Sequence, residues 1–157
     1  MIQENLKMPT GELQQLTNGD MVCHNTDELF ANKKVVLFAV PGAFTPTCSA
    51  AHLPGYVVAY DEFVEKGVDT IICLSVNDAF VMNAWGEAQN AENIMMLADG
   101  DGSYTKALGL GMETASFGGF RSQRYAIIID NGNVTSLHVE KPKEFEVSKA
   151  EVILSNL

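Results

Sequence analysis

The chain has 157 residues, 46% of them hydrophobic and 19% charged, which is enough for one domain, here residues 1–157, with a full core. Ten basic against twenty acidic residues leave a net charge of −10. That charge disfavours nucleic acid and anionic membrane surfaces as partners and leaves small uncharged substrates unopposed. The longest apolar run, Val35 to Val40, is six residues, far short of the ~18 that a membrane-spanning helix needs.

Near the N-terminus, PTGE and TNGD are turn sequences flanking a short LQQL strand, and Thr26 opens the short helix TDELF as its N-cap. No apolar signal segment precedes them, so Cys23, Cys48 and Cys73 are expected as free thiols in a reducing, cytoplasmic setting. KKVVLFAV is apolar on both faces, the pattern of a buried parallel strand. After Cys48, the segment SAAHLPGYVVAYDEFVEKG sets Leu53, Val57, Tyr60 and Val64 at helical spacing. Pro54 and Gly55 should kink that helix near its start, and Gly67 should stop it. DTIICLSV is a second buried strand, which completes a βαβ unit.

NDAFVMNAWGEAQ is the next helix, capped by Asn77 or Asp78, and NIMMLAD is a third strand. A glycine-rich stretch follows, with a short helix around Tyr104 to Leu108. RYAIIID and NVTSLHVE are two strands joined by Asn131-Gly132, a type I′ hairpin turn. Ser148 and Glu151 form a capping box ahead of the last helix. The order predicts an α/β, thioredoxin-like fold. A central mixed sheet is flanked by helices, with an N-terminal extension and an insertion before the final ββα unit.

Cys48 falls where the first buried strand hands over to its helix. Unpaired backbone N–H groups and the positive helix end favour a thiolate there. Thr45, three residues earlier, can hydrogen-bond the sulfur or a bound oxygen, while Pro41 and Pro46 stiffen the loop. The pattern at 45–48 is Thr-x-x-Cys, so the local disulfide of a Cys-x-x-Cys motif cannot form. An arginine would stabilise the thiolate and offer several donors. Arg121 and Arg124 both qualify, and on an extended segment they face opposite sides, so only one should reach the sulfur.

PGAFTPTC also fits the peroxiredoxin signature Pro-x-x-x-Thr-x-x-Cys, at Pro41, Thr45 and Cys48. Together with GVDTIICLSVNDAFVMNAWG and RSQRYAIIIDNGNV, it resembles the peroxiredoxin-five (type II) subfamily from about Phe30 to the C-terminus. The resemblance implies a thiol peroxidase that reduces hydrogen peroxide and alkyl hydroperoxides. Cys48 would attack the O–O bond and become a sulfenic acid. Pro41 and Thr45 would hold the peroxide, and Arg124, just before YAIII, would complete the site. No cofactor or metal is implied, only an external thiol. The resolving cysteine that two-cysteine members carry in the C-terminal segment is missing from KPKEFEVSKAEVILSNL. That implies a one-Cys enzyme recycled by glutathione and glutaredoxin, or by thioredoxin, with resolution through Cys23 as the alternative.

Other residues have readings of their own. His52, four residues after Cys48, could complete a Cys-x₃-His metal pair but is better read as a buttress beside the site. His138 alternates with Ser136 and Glu140, a solvent-face pattern, and Cys73 belongs to a buried strand. Phe44, Phe80, Phe117 and Phe120, with Trp85, divide between core and a collar of loops that the resemblance makes a homodimer interface. A redox sensor that passes the Cys48 sulfenate to a partner protein is the reading from a different class.

Overall fold

A computed structural model describes residues 1–157. Its main sheet has seven strands in the order β2 (Asp20–Asn25), β1 (Glu12–Thr17), β5 (Met95–Ala98), β4 (Thr70–Ser75), β3 (Lys34–Ala39), β8 (Tyr125–Asp130) and β9 (Asn133–Val139). Strands β3, β4 and β5 run parallel to one another. Antiparallel β8 and β9 extend the sheet on the β3 side. On the far side β1 and β2 form a hairpin that docks on β5. This is the expected thioredoxin-like mixed sheet. The LQQL strand is longer than read and has a partner, because DMVCHN, too polar to announce a strand, pairs along its whole length.

Strand β3 is buried on both faces, and its pleat divides the core in two. Val36 and Phe38 point to one side with Ile71, Cys73, Ala126 and Ile128. Val35, Leu37 and Ala39 point to the other with Ile72, Leu74, Ile127 and Ile129. Asn131 and Gly132 have φ of 48° and 80°, the pair of positive values that a type I′ turn requires. Helix α1 (Thr26–Phe30) begins one residue earlier than the sequence suggests: Asn25 caps it, and the Thr26 hydroxyl bonds to Pro9 and Gly11 instead.

The segment after Cys48 is where the chain departs most from a regular helix. Pro54 has no N–H to give and its ring would collide with the carbonyl four residues back. The backbone widens into a π-turn over Cys48–His52, closed by Leu53 N–H to the Cys48 carbonyl, before α2 (Leu53–Val58) begins. The break falls at Ala59 (φ −87°, ψ 3°) rather than at Gly55, and α3 (Tyr60–Glu65) follows it. The buried face is therefore Leu53, Tyr56, Ala59 and Phe63, and Val64 is exposed. Helix α4 (Ala79–Ala88) is capped by the Asp78 carboxylate, which accepts from Val81 N–H.

After α5 (Ser103–Leu108) the insertion forms a separate ribbon of β6 (Gly111–Glu113) and β7 (Phe120–Ser122). Gly111 lies flat on the Phe120 ring, which a Cβ there would strike. The last helix, α6 (Ala150–Ser155), has Lys149 as N-cap and no side-chain cap. The expected capping box does not form, because the Ser148 hydroxyl donates to Glu140 instead.

Phe38 links the sheet to the helical side of the site. It is fully buried and stacks on Tyr56 with ring centroids 4.0 Å apart and planes 3° apart. Phe38→Ala should lower the unfolding free energy by about 3–5 kcal/mol, to be read from urea denaturation; a loss below about 1 kcal/mol would mean that this contact does not hold the layers together.

Candidate active site

The site loop runs from the end of β3 to the first helical turn. The chain is already helical at Pro46 and Thr47, with Pro46 in the first-turn position that suits a residue lacking an N–H. Ser49 N–H donates to the Thr45 carbonyl at 2.9 Å, so Cys48 lies inside the first turn, at the positive end of the helix. The loop is pinned from both sides: Ala43 N–H donates to Asn77 Oδ1 at 3.0 Å, and Trp85 Nε1 donates to Ser49 Oγ at 3.0 Å. Trp85 is therefore core and anchors the loop, rather than belonging to a surface collar.

Cys48 Sγ is fully buried and has two polar neighbours. Thr45 Oγ1 is 2.9 Å away and Arg124 Nη2 is 3.0 Å away. The same Thr45 oxygen is 2.7 Å from the Gly42 carbonyl. A hydroxyl has one proton, so its direction depends on the sulfur. Against a thiol, Thr45 donates to Gly42 and accepts the S–H; against a thiolate, it donates to the sulfur.

The two arginines separate cleanly. Arg121 donates Nε to the Gly118 carbonyl and Nη1 to the Val76 carbonyl, both at 3.0 Å, and holds the insertion against the sheet. Arg124 gives one nitrogen to Cys48 and the other, Nη1, to His52 Nδ1 at 2.7 Å. The ion pairs of the protein are those of Lys149 with Glu146 and Glu151, so no carboxylate competes for the Arg124 charge.

His52 is fully buried, with Nε2 3.1 Å from the Ser148 carbonyl. A carbonyl only accepts, so Nε2 carries the proton and Nδ1 is the acceptor for Arg124. Burial and the neighbouring guanidinium push the imidazole pKa down to about 3. Both ring nitrogens are occupied, which leaves no lone pair for the metal pairing with Cys48.

Glu140 does not face solvent, although its alternation with His138 suggests that it should. Glu140 is buried, and its Oε2 accepts from the N–H groups of Glu146, Val147 and Ser148 at 2.8–2.9 Å and from Ser148 Oγ at 2.7 Å. These contacts, with the Ser148 buttress of His52, come from a segment whose sequence suggests only surface and a helix cap.

A cavity of about 660 Å³ reaches Arg124 but not the buried sulfur itself, and is lined by Pro41, Thr47, Met112, Phe117 and Arg124 among others. The remaining cysteines are elsewhere. Cys73 is fully buried in β4, on the Cys48 side of the sheet, and burial with the charge at Cys48 pushes its thiol well up. Cys23 is exposed on the edge strand β2, four strand spacings from β3. At ~4.8 Å per spacing that is roughly 19 Å, against the ~7 Å limit between Cα atoms in a disulfide.

The Redoxin family profile matches residues 3–154. Peroxiredoxin-2D of Arabidopsis thaliana is 46% identical over 153 residues, covering 96% of this chain and 94% of the relative. The chain belongs to the peroxiredoxin family. Reduced Prx3 of Vibrio vulnificus, solved in complex with H2O2, superposes with a TM-score of 0.98 at 68% identity over 99% of both chains. The 1-Cys peroxiredoxin antioxidant protein of Plasmodium falciparum gives a TM-score of 0.90 at 30% identity, over 99% of this chain and 100% of that one. The protein is thus a thiol peroxidase of antioxidant type. Peroxiredoxins work without a prosthetic group and draw their electrons from thiols.

The buried neutral imidazole gives this peroxiredoxin a defined acid response. The unfolded chain protonates His52 below pH ~6.5, whereas the folded protein does not until about pH 3. The unfolded state therefore binds more protons in that window, and stability falls as pH falls through it. Glu140, whose pKa burial raises but whose hydrogen bonds together bring below the ordinary value, acts in the same direction at lower pH. His52 alone should remove about 2 kcal/mol between pH 7 and pH 5; urea unfolding at the two pH values measures it, and His52→Gln should flatten the slope.

Proposed function

We propose that this peroxiredoxin is a one-Cys enzyme that reduces hydrogen peroxide and small alkyl hydroperoxides and is recycled by glutathione with glutaredoxin. The convergence of Arg124 Nη2 and Thr45 Oγ1 on a single buried sulfur, at 3.0 and 2.9 Å, carries the first half of that reading. A thiolate at Cys48 displaces alkoxide or hydroxide from the peroxide: an S–O bond forms, the O–O bond breaks, and the leaving oxygen takes a proton. The sulfur is oxidised to sulfenic acid as the peroxide is reduced. Arg124 and Thr45 act as donors to the oxygens on which charge develops, and Pro41 bounds the peroxide pocket.

For this step Cys48→Ser should abolish turnover while the fold survives, since a serine hydroxyl is a poor nucleophile at neutral pH. Arg124→Ala should slow the reaction with H2O2 by about 100-fold, and Arg121→Ala by far less. Stopped-flow rates at pH 7 compare them, and equal losses at 121 and 124 would remove Arg124 from the role.

The positions of the other cysteines support recycling by an external thiol. Cys23 is on the wrong edge of the sheet, and Cys73 is sealed in the core. Glutathione condenses with the sulfenic acid, giving water and a mixed disulfide on Cys48, and a second thiol, on glutaredoxin, then releases the reduced cysteine. Free thiols suit a reducing compartment, and we place the protein in the cytoplasm. Exposed Phe44 on the Cys48 loop, Phe117 on the cavity wall and Phe80 at the start of α4 suit a homodimer face.

One observation favours a second reading: Cys48 and Cys73 share one core cluster, so opening of the π-turn could bring Cys48 onto Cys73. Mass spectrometry after one equivalent of H2O2 with glutathione separates the two. Glutathionylated Cys48, with near-normal turnover in Cys23→Ser and Cys73→Ser, is expected. A Cys48–Cys73 disulfide, with turnover lost in Cys73→Ser, would replace the one-Cys reading.

A further inference from the structure

Glu140 stands outside the contacts that touch Cys48, yet two separate paths lead from it to Arg124. Its backbone N–H donates to the Arg124 carbonyl at 2.9 Å, just past the last paired residues of β8 and β9. Its side chain works through the turn at 146–148. Three consecutive N–H groups and one hydroxyl converge on Oε2. The turn is thereby fixed, and with it the Ser148 carbonyl, which takes Nε2–H of His52 at 3.1 Å and the Tyr56 hydroxyl at 2.7 Å. The other carboxylate oxygen, Oε1, is buried and has no partner. A buried carboxylate with an unpaired oxygen is costly unless its charge is used, and four donors on Oε2 show where it is used.

We propose that Glu140 is a positioning residue for peroxide reduction: by setting the Ser148 carbonyl it selects the Nε2–H tautomer of His52, and so seats the Arg124 guanidinium against Cys48. The tautomer is the working link. With the proton on Nε2, Nδ1 offers a lone pair to Arg124 Nη1 at 2.7 Å. With the proton on Nδ1, two N–H groups would face each other at that distance, and the guanidinium would have to leave the sulfur. Nothing else polar fixes the ring: its remaining neighbours are the aromatic rings of Phe38, Tyr56 and Phe145. A backbone carbonyl held by a carboxylate thus does for this histidine what an outer-shell acceptor does for a metal-bound one. No step of the peroxide chemistry changes, and the proposal holds whichever thiol recycles the enzyme.

Glu140→Gln, Glu140→Ala and wild type, each as full chain, test it with three readouts. Nitrogen NMR of His52 should show Nε2–H alone in wild type and a mixture of tautomers in the variants. The bimolecular rate with H2O2 at pH 7 should fall about 10-fold in Glu140→Gln, whose amide oxygen can still take the turn N–H groups, and more in Glu140→Ala. The pH profile of Cys48 alkylation should move to higher pH in both, because the one charged group against the sulfur is Arg124, while His52 and buried Cys73 stay neutral. A purely structural role would lower the melting temperature and leave tautomer, rate and pH profile of the folded fraction unchanged, and that result overturns the proposal. So does Nδ1–H in wild type, which decides the matter even where a variant does not fold.

Discussion

A guanidinium 3.0 Å from a fully buried sulfur, with no carboxylate to share its charge, is the contact on which the rest of the site depends. Burial alone disfavours a thiolate, since it strips water from the charged form. A unit charge at about 4 Å returns on the order of 4 kcal/mol at the effective dielectric of a protein. The Thr45 hydroxyl and the first helical turn add to it. The site can therefore exclude water and still carry the charge that the nucleophile needs.

Keeping that guanidinium in place poses a second problem, which His52 solves. Its other N–H groups need acceptors inside the protein, and the strongest acceptor would be a carboxylate. A carboxylate at position 52 would also neutralise the charge and draw the arginine away from sulfur. A neutral imidazole accepts one N–H and takes none of the charge. The acidic side chain that organises this region, Glu140, is spent instead on the backbone N–H groups of residues 146–148, with the histidine between its charge and Arg124. The wide turn at Cys48–His52 belongs to the same arrangement. It lets Pro54 be accommodated while Cys48 and His52 both reach Arg124 from one segment.

Much of this is legible in the sequence. The apolar runs at 35–40 and 71–74, the Asn131-Gly132 turn and the Pro-x-x-x-Thr-x-x-Cys stretch each carry a local rule, and each stands where the rule puts it. What stayed hidden is tertiary. The phase of the helix after Cys48 depends on a π-turn and a break at Ala59, neither of which periodicity encodes. Ser148 and Glu151 have the spacing of a capping box, but a stronger acceptor, the Glu140 carboxylate, takes the serine hydroxyl. Glu140 alternates with His138 as a surface residue would, and only the return of residues 146–148 over it makes it interior. The choice between Arg121 and Arg124 could not come from spacing, because it rests on which carbonyls surround Arg121.

The single proton of Thr45 ties the geometry to a full catalytic cycle. Its oxygen lies within bonding distance of both Gly42 O and Cys48 Sγ, so the hydroxyl can rotate between them without the backbone moving. Before reaction it turns toward the sulfur and stabilises the thiolate. When an S–O bond forms, the sulfur loses its charge, and the proton can swing back to the Gly42 carbonyl, which frees a lone pair for the S–OH proton. A side chain that only donated would hold the thiolate equally well and then face the sulfenic acid with the wrong polarity. A side chain that only accepted would fail at the first step. A hydroxyl pinned between a carbonyl and a sulfur does both, which is why the chemistry asks for threonine or serine at this position and not simply for a polar residue.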